Sequence, residues 1–160
     1  MNNQTTAQND ETETKLYENW DDLKLSEELT RGIYAYGFEK PTPIQGRAIA
    51  PIITKRDIIG QAQSGSGKTG SFAIGTLERI DISQKTTQAL ILAPTQQLAM
   101  QIFKVFKALS NYMDGLVIKT LVGGTSVADD ANELRTNIPH IIIGTAGRVY
   151  DMMKRRNFDC

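Results

Sequence analysis

Short apolar runs alternate with longer segments of helical periodicity along most of this 160-residue sequence, and this alternation strongly limits the possible folds. Four runs have the length and composition of buried strands: residues 57–62 (DIIGQA), 89–94 (ALILAP), 116–122 (LVIKTLV) and 140–145 (HIIIGT). Buried strands separated by helices are typical of a parallel sheet that is covered on both faces. We therefore predict an α/β fold in which ligands bind at the carboxyl ends of the strands.

The segments around these runs carry apolar residues at the spacing of amphipathic helices. Two upstream helices are marked by N-cap signals, Ser26 before acidic residues and Thr42 before Pro43, and Gly37 is placed to end the first of them. A chain of this length suffices for one domain but not comfortably for two. Further helices are predicted from Phe72, Leu77 and Ile80, from a stripe between Leu98 and Leu109, and over residues 126–135 and 146–156.

The stretch AQSGSGKT, residues 62–69, stands between a predicted strand and a predicted helix, where a phosphate-binding loop belongs. Gly65 and Gly67 allow the backbone to turn its N–H groups towards an anion, and the helix N-terminus adds its dipole. Lys68 can reach the β- and γ-phosphates of a nucleotide, and the Thr69 hydroxyl is placed for Mg²⁺. The alternative interpretation is a glycine-rich turn with an accidental Lys–Thr pair, and Ala62 departs from the usual first glycine.

The stretch GFEKPTPIQ, residues 37–45, precedes this loop. The amide of Gln45 can bond both N6 and N7 of adenine, and Phe38 can cover the face of a base. By itself the stretch is more typical of a surface turn with two prolines. Next to a phosphate loop it favours a nucleotide site that recognises adenine.

GFEKPTPIQ followed by AQSGSGKT resembles the DEAD-box family of ATP-dependent RNA helicases, and RGIYAYGFEKPTPIQ is especially similar to the initiation factor 4A branch of that family. The resemblance runs from about Trp20 to the chain end, and alanine is the family's own choice at position 62. It implies a RecA-like P-loop domain that uses ATP and Mg²⁺. The implied organisation is a disordered polar tail (1–17), an adenine-sensing Q-motif region (18–46) and an incomplete ATP-binding RecA-like domain (47–160).

The resemblance also implies roles for single residues. Lys68 and Thr69 are the catalytic residues, and the Thr69 hydroxyl is the magnesium ligand. Trp20 takes the place of an aromatic residue that supports the adenine site, although a core aromatic under the first helix is an equal alternative. The implied ATP-binding residues are Trp20, Phe38, Lys40, Gln45, Ala62, Gln63, Ser64, Gly65, Ser66, Gly67, Lys68 and Thr69.

Three further stretches resemble the RNA-facing motifs of the family: PTQQLA (94–99) stands where the family has PTRELA, GG (123–124) matches its glycine pair, and TAGR (145–148) stands where it has TPGR. Helix N-termini attract phosphates without reading sequence, so the expected partner is the RNA backbone. Helix capping by Thr95 and Thr145 is the alternative for each stretch alone. The implied RNA-binding residues are Pro94, Thr95, Gln96, Gly123, Gly124, Thr145 and Arg148, with Arg148 as the main charged contact.

The sequence departs from the family pattern at three positions within these stretches. Gln96 and Gln97 replace an arginine and a glutamate, so we predict weaker RNA binding with a shallower salt dependence. Ala146 replaces a proline at the first helical position, which mostly removes rigidity. The helix ending in Lys154, Arg155 and Arg156 is interpreted as a solvated, dipole-complementing end.

The D-E-A-D stretch, which supplies the family's metal-binding and water-orienting carboxylates, does not occur in these 160 residues, nor does the second RecA-like domain. We therefore expect a truncated sheet, with later strands missing, and no ATP-dependent unwinding by this chain alone. The leading hypothesis is the ATP- and RNA-binding part of an RNA helicase. The alternatives are a non-catalytic nucleotide- and RNA-binding module and a small P-loop kinase, which GFEKPTPIQ disfavours.

Composition limits the possible partners and the cellular compartment of the protein. The net charge is zero, so a nucleic acid must be held by local groups, and no partner protein is indicated. The single cysteine, Cys160, cannot form a disulfide within the chain, which fits a reducing compartment. The first residues lack the pattern of a secretory signal, and no apolar run has the length to cross a bilayer. We expect a cytoplasmic or nuclear protein without a membrane partner.

Overall fold

A computed structural model describes residues 15–158 as a parallel β-sheet with helices on both faces, which confirms the predicted fold class. Of the predicted tail, residues 1–17, all but the last three residues lie outside the described part. The helices are Glu27–Ala35 (α1), Pro43–Ile53 (α2), Lys68–Leu77 (α3), Gln96–Leu109 (α4), Val127–Thr136 (α5) and Ala146–Lys154 (α6), and a single 3₁₀ turn, Asp21–Leu23, precedes them. The strands are Ala89–Ala93 (β1), Ile118–Leu121 (β2) and Ile141–Thr145 (β3).

The last strand in sequence, β3, lies in the middle of the sheet. The strand order is β1-β3-β2, and Ile141 is in register with both Ala89 on one side and Ile118 on the other. All pairs are parallel, so the carboxyl ends of the three strands meet at one edge. The segments that follow Ala93, Leu121 and Thr145 are therefore neighbours in space.

Alternate residues of β3 enter two separate hydrophobic clusters. Ile141 and Ile143 belong to a large cluster that includes Phe106 of α4. Ile142 faces the opposite side, where it packs in a smaller cluster with Leu134 of α5 and Met152 of α6. Because side chains alternate along a strand, the three consecutive isoleucines of β3 need helices on both faces of the sheet. This is the arrangement that the sequence predicts.

The prediction of a buried strand at residues 57–62 is wrong. The segment has no strand pairing, and Ile58, Ile59 and Gly60 are exposed. A parallel strand needs a neighbour that satisfies its N–H and C=O groups, and within residues 15–158 the sheet ends at β1 on one side and β2 on the other. Apolar composition predicted the strand, but no partner strand is present to bury it.

The ends of α1 follow the sequence signals in part. Gly37 has a φ of 94°, and the N–H groups of Phe38 and Gly37 donate to the carbonyls of Ile33 and Tyr34, which is a Schellman ending. At the other end, Ser26 occupies the N-cap position, but its hydroxyl donates to the Glu78 carboxylate at 2.9 Å instead of capping the helix. None of the helices within residues 15–158 is long and apolar enough to cross a membrane.

Candidate functional site

The loop before α3 has the geometry that its glycines predict. Gly65 and Gly67 have φ values of 78° and 96°, which side chains with a Cβ rarely adopt. A Cβ built at Gly67 would also lie 2.9 Å from both Gln45 Nε2 and Thr42 Oγ1. Lys68 then begins α3, so the loop delivers the chain to a helix N-terminus whose first N–H groups have no partner within the helix.

The ammonium of Lys68 folds back over this loop. Its Nζ donates to the carbonyl oxygens of Ala62 at 2.5 Å and Gln63 at 2.6 Å. Charge-assisted bonds to a phosphate are stronger than bonds to neutral carbonyls, so an incoming anion can compete for the same ammonium. The Lys68 ammonium is thus held against the backbone carbonyls of the loop.

Two hydroxyl groups beside the loop have no hydrogen-bond partner although they are buried: Ser66 Oγ and Thr42 Oγ1. Buried polar groups in folded proteins are rarely left unpaired, and an unpaired one at a concave site is a candidate ligand contact. Each hydroxyl can donate to a phosphate or carbonyl oxygen. These groups, the glycine backbone and Lys68 fit a bound phosphate.

Gln45 connects the upstream stretch to the loop. Its side chain is fully buried; Oε1 accepts from the N–H of Thr42 at 2.9 Å, and Nε2 donates to the carbonyl of Gly67 at 3.4 Å. Both ends of the amide are therefore engaged within the protein. Lys40, another predicted ATP contact, lies within this stretch and is exposed.

Phe38 lies between the loop helix and Trp20. A Cβ built at Gly70 would lie 3.0 Å from the Phe38 ring, so α3 approaches this ring closely. Trp20 stacks on Phe38 at 6.3 Å between ring centroids, and its indole N–H donates to the Phe38 carbonyl at 2.9 Å. Trp20 is 2% exposed and belongs to the main core. Trp20 is therefore a core aromatic residue that holds Phe38, and its support of an adenine site stays a prediction.

The turns after the three strands contain the residues that the sequence predicts to bind RNA. Thr95 caps α4 by accepting from the N–H of Leu98 at 3.2 Å, and Pro94 precedes it on the surface. The amide of Gln96 lies against Gly123, where an added Cβ would sit 2.7 Å from Nε2. Gly124 turns the chain with a φ of 85°. The PTQQLA stretch and the glycine pair are thus in contact.

Thr145 and Arg148 differ from expectation in their contacts. Thr145 is at the N-cap position of α6, but its side chain makes no capping hydrogen bond. Arg148, expected as the main charged RNA contact, has a side chain only 10% exposed and pairs with Asp130 at 2.5 Å. Its guanidinium also donates to Oγ1 and to the backbone carbonyl of Thr125, at 2.8 and 2.9 Å. Arg148 therefore links α6 to the turn after β2.

Asp130 is a residue that the motifs did not reveal. Its carboxylate is shared by Arg148 and by Lys119, whose Nζ lies 3.3 Å from Oδ1 and also pairs with Glu133. Desolvation acts to lower the pKa of Lys119, but hydrogen bonds to Glu133 and Asp130 outweigh it, so the pKa is raised. One sequence signal was available: Asp130 and the buried Leu134 are four residues apart, which places Asp130 on the inner face of α5.

The phosphate-loop region and the turns at the sheet edge both lie within one matched family domain. The family model for the DEAD/DEAH box helicases matches residues 42–159. The chain belongs to the DEAD/DEAH box helicase family.

Solved structures of DEAD-box proteins share this fold. A DEAD box protein from the hyperthermophile Methanococcus jannaschii superposes with a TM-score of 0.83 at 34% identity, over 90% of this chain and 39% of that chain. Dbp5 of Saccharomyces cerevisiae, bound to RNA and ADP BeF3, gives a TM-score of 0.80 at 32% identity, over 89% of this chain and 36% of that one. A Dbp5 variant bound to a Gle1 variant and IP6 gives 0.81 at 32% identity, with 90% and 36% covered.

The chain thus spans less than two fifths of the length of these DEAD-box relatives. The match supports the RecA-like fold of this family, whose sheet in the described residues has three strands. The narrower expectation of the initiation factor 4A branch stays a prediction. The phosphate loop and the strand-end turns thus belong to one helicase domain.

Proposed function

We propose that this DEAD-box chain binds ATP at the loop before α3 and the RNA backbone at the carboxyl edge of the sheet, as part of an ATP-dependent RNA helicase. The observation that carries the proposal is the contact between Gln45 and the Gly67 carbonyl. It joins the stretch suited to an adenine base directly to the loop suited to its phosphates. A loop that served only as a turn into α3 would not require this neighbour.

In the nucleotide site, the N–H groups of the loop and of the first turn of α3 would bind the phosphates. Lys68 would exchange the Ala62 and Gln63 carbonyls for phosphate oxygens, and the Ser66 hydroxyl would gain its first partner. Thr69, in the same turn, would hold Mg²⁺ together with phosphate oxygens, and the metal would neutralise phosphate charge. Phe38 would cover the base. The Gln45 amide would hold Thr42 and the Gly67 carbonyl in place, and it would have to give up one of these two bonds to contact the edge of adenine.

On the RNA side, the N-terminal turns of α4 and α6 and the glycine turn after β2 would bind successive phosphates. These groups are mostly neutral donors, so the contact would be independent of base sequence. The solved Dbp5 complexes contain RNA together with ADP BeF3 in that protein. By this similarity we propose RNA as the ligand of this chain as well, and a second RecA-like domain as the partner that completes the site.

The nucleotide part is tested by Lys68→Met. Loss of the ammonium should weaken binding of a fluorescent ATP analogue with Mg²⁺ by about tenfold or more, because one charge-assisted phosphate contact contributes roughly 1.5–3 kcal/mol. Lys104→Met removes an exposed lysine from α4 and is the matched control, which should bind as the wild type does. Titrations with ATP and GTP in competition test the base preference.

Two outcomes would contradict the nucleotide proposal: equal affinity of Lys68→Met and the wild type, or no preference for ATP over GTP. Hydrolysis is a separate matter. We expect no RNA-stimulated phosphate release from this chain alone, since phosphoryl transfer depends on a held metal and an oriented water. Phosphate release that rises with added RNA would overturn that expectation and would favour a catalytic chain over a binding module.

A further inference from the structure

The carboxylate of Asp130 lies at the centre of a buried network behind the RNA-facing turns. The side chain is 4% exposed, and it accepts hydrogen bonds from Arg148 at 2.5 Å and from the Thr125 hydroxyl at 2.8 Å. Lys119 of β2 lies 3.3 Å away on the other oxygen. A buried carboxylate with three donors is fixed in position, because loss of any donor would leave charge unpaired in a low dielectric.

This network joins two turns that are distant in sequence. Arg148 in the first turns of α6 holds Thr125 by both its hydroxyl and its backbone carbonyl, and Asp130 accepts from the same hydroxyl. Thr125 directly follows Gly124, whose φ of 85° sets the turn after β2. The orientation of that turn relative to α6 therefore depends on the Asp130–Arg148 pair.

Arg148 has little capacity left for a phosphate of its own. Three of its hydrogen bonds go to Asp130 and Thr125, out of five guanidinium N–H groups, and its charge is balanced by the carboxylate beside it. A side chain that is 10% exposed also releases few counterions on binding. These observations favour a bracing function for Arg148 over a direct charged contact.

We propose that Asp130 is a positioning residue for RNA binding. Through Arg148 and Thr125 it holds the Gly123–Gly124 turn and the start of α6 in the relative orientation that lets both bind one RNA backbone. The inference rests on the proposed RNA-binding function. It adds a residue outside the RNA-facing stretches, and it assigns Arg148 a different function from the phosphate contact expected from its motif.

The sharpest test compares two neighbouring carboxylates of α5. By charge alone, removing either acid should strengthen binding to a polyanion. We expect Asp130→Asn to weaken binding of a fluorescent oligouridine by about five- to tenfold, as a lost buried charged hydrogen bond would. Asp129→Asn changes the same charge on an exposed neighbour and should bind equally or more tightly.

A second pair of variants avoids any change of charge. Thr125→Val removes the hydroxyl that Arg148 and Asp130 share, whereas Thr125→Ser keeps it. We expect weaker oligouridine binding by the valine variant, normal binding by the serine variant, and an unchanged dependence of affinity on salt in both. Binding of the fluorescent ATP analogue should stay at the wild-type level in all four variants, which separates a local loss of positioning from unfolding.

The possible outcomes distinguish the positioning function of Asp130 from the RNA-binding function on which it rests. If the wild type binds oligouridine and both Asp130→Asn and Thr125→Val bind as tightly, the positioning function is wrong and the proposed function stands. A valine variant with normal binding overturns the proposal even if the asparagine variant fails to fold. If Arg148→Gln lowers the salt slope by about 0.7, the value for one lost phosphate contact, Arg148 binds RNA directly. A wild type that binds no oligouridine overturns both proposals.

Discussion

At the scale of single residues, Gln96 contributes a neutral amide, and no positive charge, to the proposed RNA surface. It lies in the first turn of α4, exposed to solvent, with its amide against the open face of Gly123. An amide can donate to a phosphate oxygen but releases no counterion when it does so. Because Gly123 has no side chain, a longer residue at position 96 can be accommodated here.

We expect Gln96→Arg to steepen the dependence of RNA affinity on salt. One added phosphate contact on a single strand changes the slope of log affinity against log salt by roughly 0.7. Gln101→Arg, on the exposed surface of the same helix, adds the same charge away from the strand-end turns and is the control. Fluorescence anisotropy over a salt series measures both slopes, and an equal change in the two variants would mean that only net charge matters.

At the scale of elements, the crossing of α1 and α4 depends on Gly32. A Cβ built at Gly32 would lie 1.8 Å from the backbone carbonyl oxygen of Leu109, at the end of α4. Real Cβ atoms do not approach so closely, and a backbone atom cannot turn aside as a flexible side chain can. The two helices therefore meet at this glycine, and α1 leads through Gly37 into the stretch that holds Phe38.

Gly32→Ala should destabilise the fold by about 3 kcal/mol or more, because the added methyl group forces the helices apart. The control is Gly147→Ala in α6, where nothing lies within 4 Å of the added Cβ. Alanine in an open helical position should stabilise by about 0.5–1 kcal/mol, so the two identical substitutions have opposite signs. Urea denaturation followed by the fluorescence of Trp20 gives both values; two similar values would disprove the packing argument.

At the scale of the whole molecule, apolar side chains are exposed on an edge strand of the sheet and in the segment before the phosphate loop. Ile58 and Ile59 lie in the extended segment before the phosphate loop, and Leu92 lies on the edge strand β1. Of these, Leu92 is 55% exposed and Ile59 is fully exposed. An open strand edge and exposed apolar side chains each favour association with other chains.

We therefore expect the chain to self-associate increasingly as its concentration rises. Ile59→Lys should reduce this association, because a charge on an extended segment opposes edge pairing. Tyr150→Lys replaces an exposed aromatic residue on α6 and should leave the association unchanged. Sedimentation velocity over a concentration series distinguishes the variants. A wild type that remains a monomer at every concentration would show that these exposed apolar residues do not cause self-association.

The sequence alone determined those features that depend on neighbours along the chain. Gly37 ends α1 because only a local left-handed turn is required, and Gly65 and Gly67 shape the loop before α3 for the same reason. Three of the four apolar runs form strands, with boundaries shifted by one or two residues. The family could also be recognised from the sequence, because its motifs are short stretches that occur in a fixed order along the chain.

Tertiary structure decided the features that depend on distant residues. The run at 57–62 has as many apolar residues as the run at 140–145, but it has no neighbouring strand to pair with and stays exposed. Only the packed structure shows that Trp20 is a core residue stacked on Phe38, and that Arg148 is paired with Asp130. Periodicity and motifs report which groups a residue can offer. Long-range packing decides which partners those groups meet, because burial requires each polar group to find one.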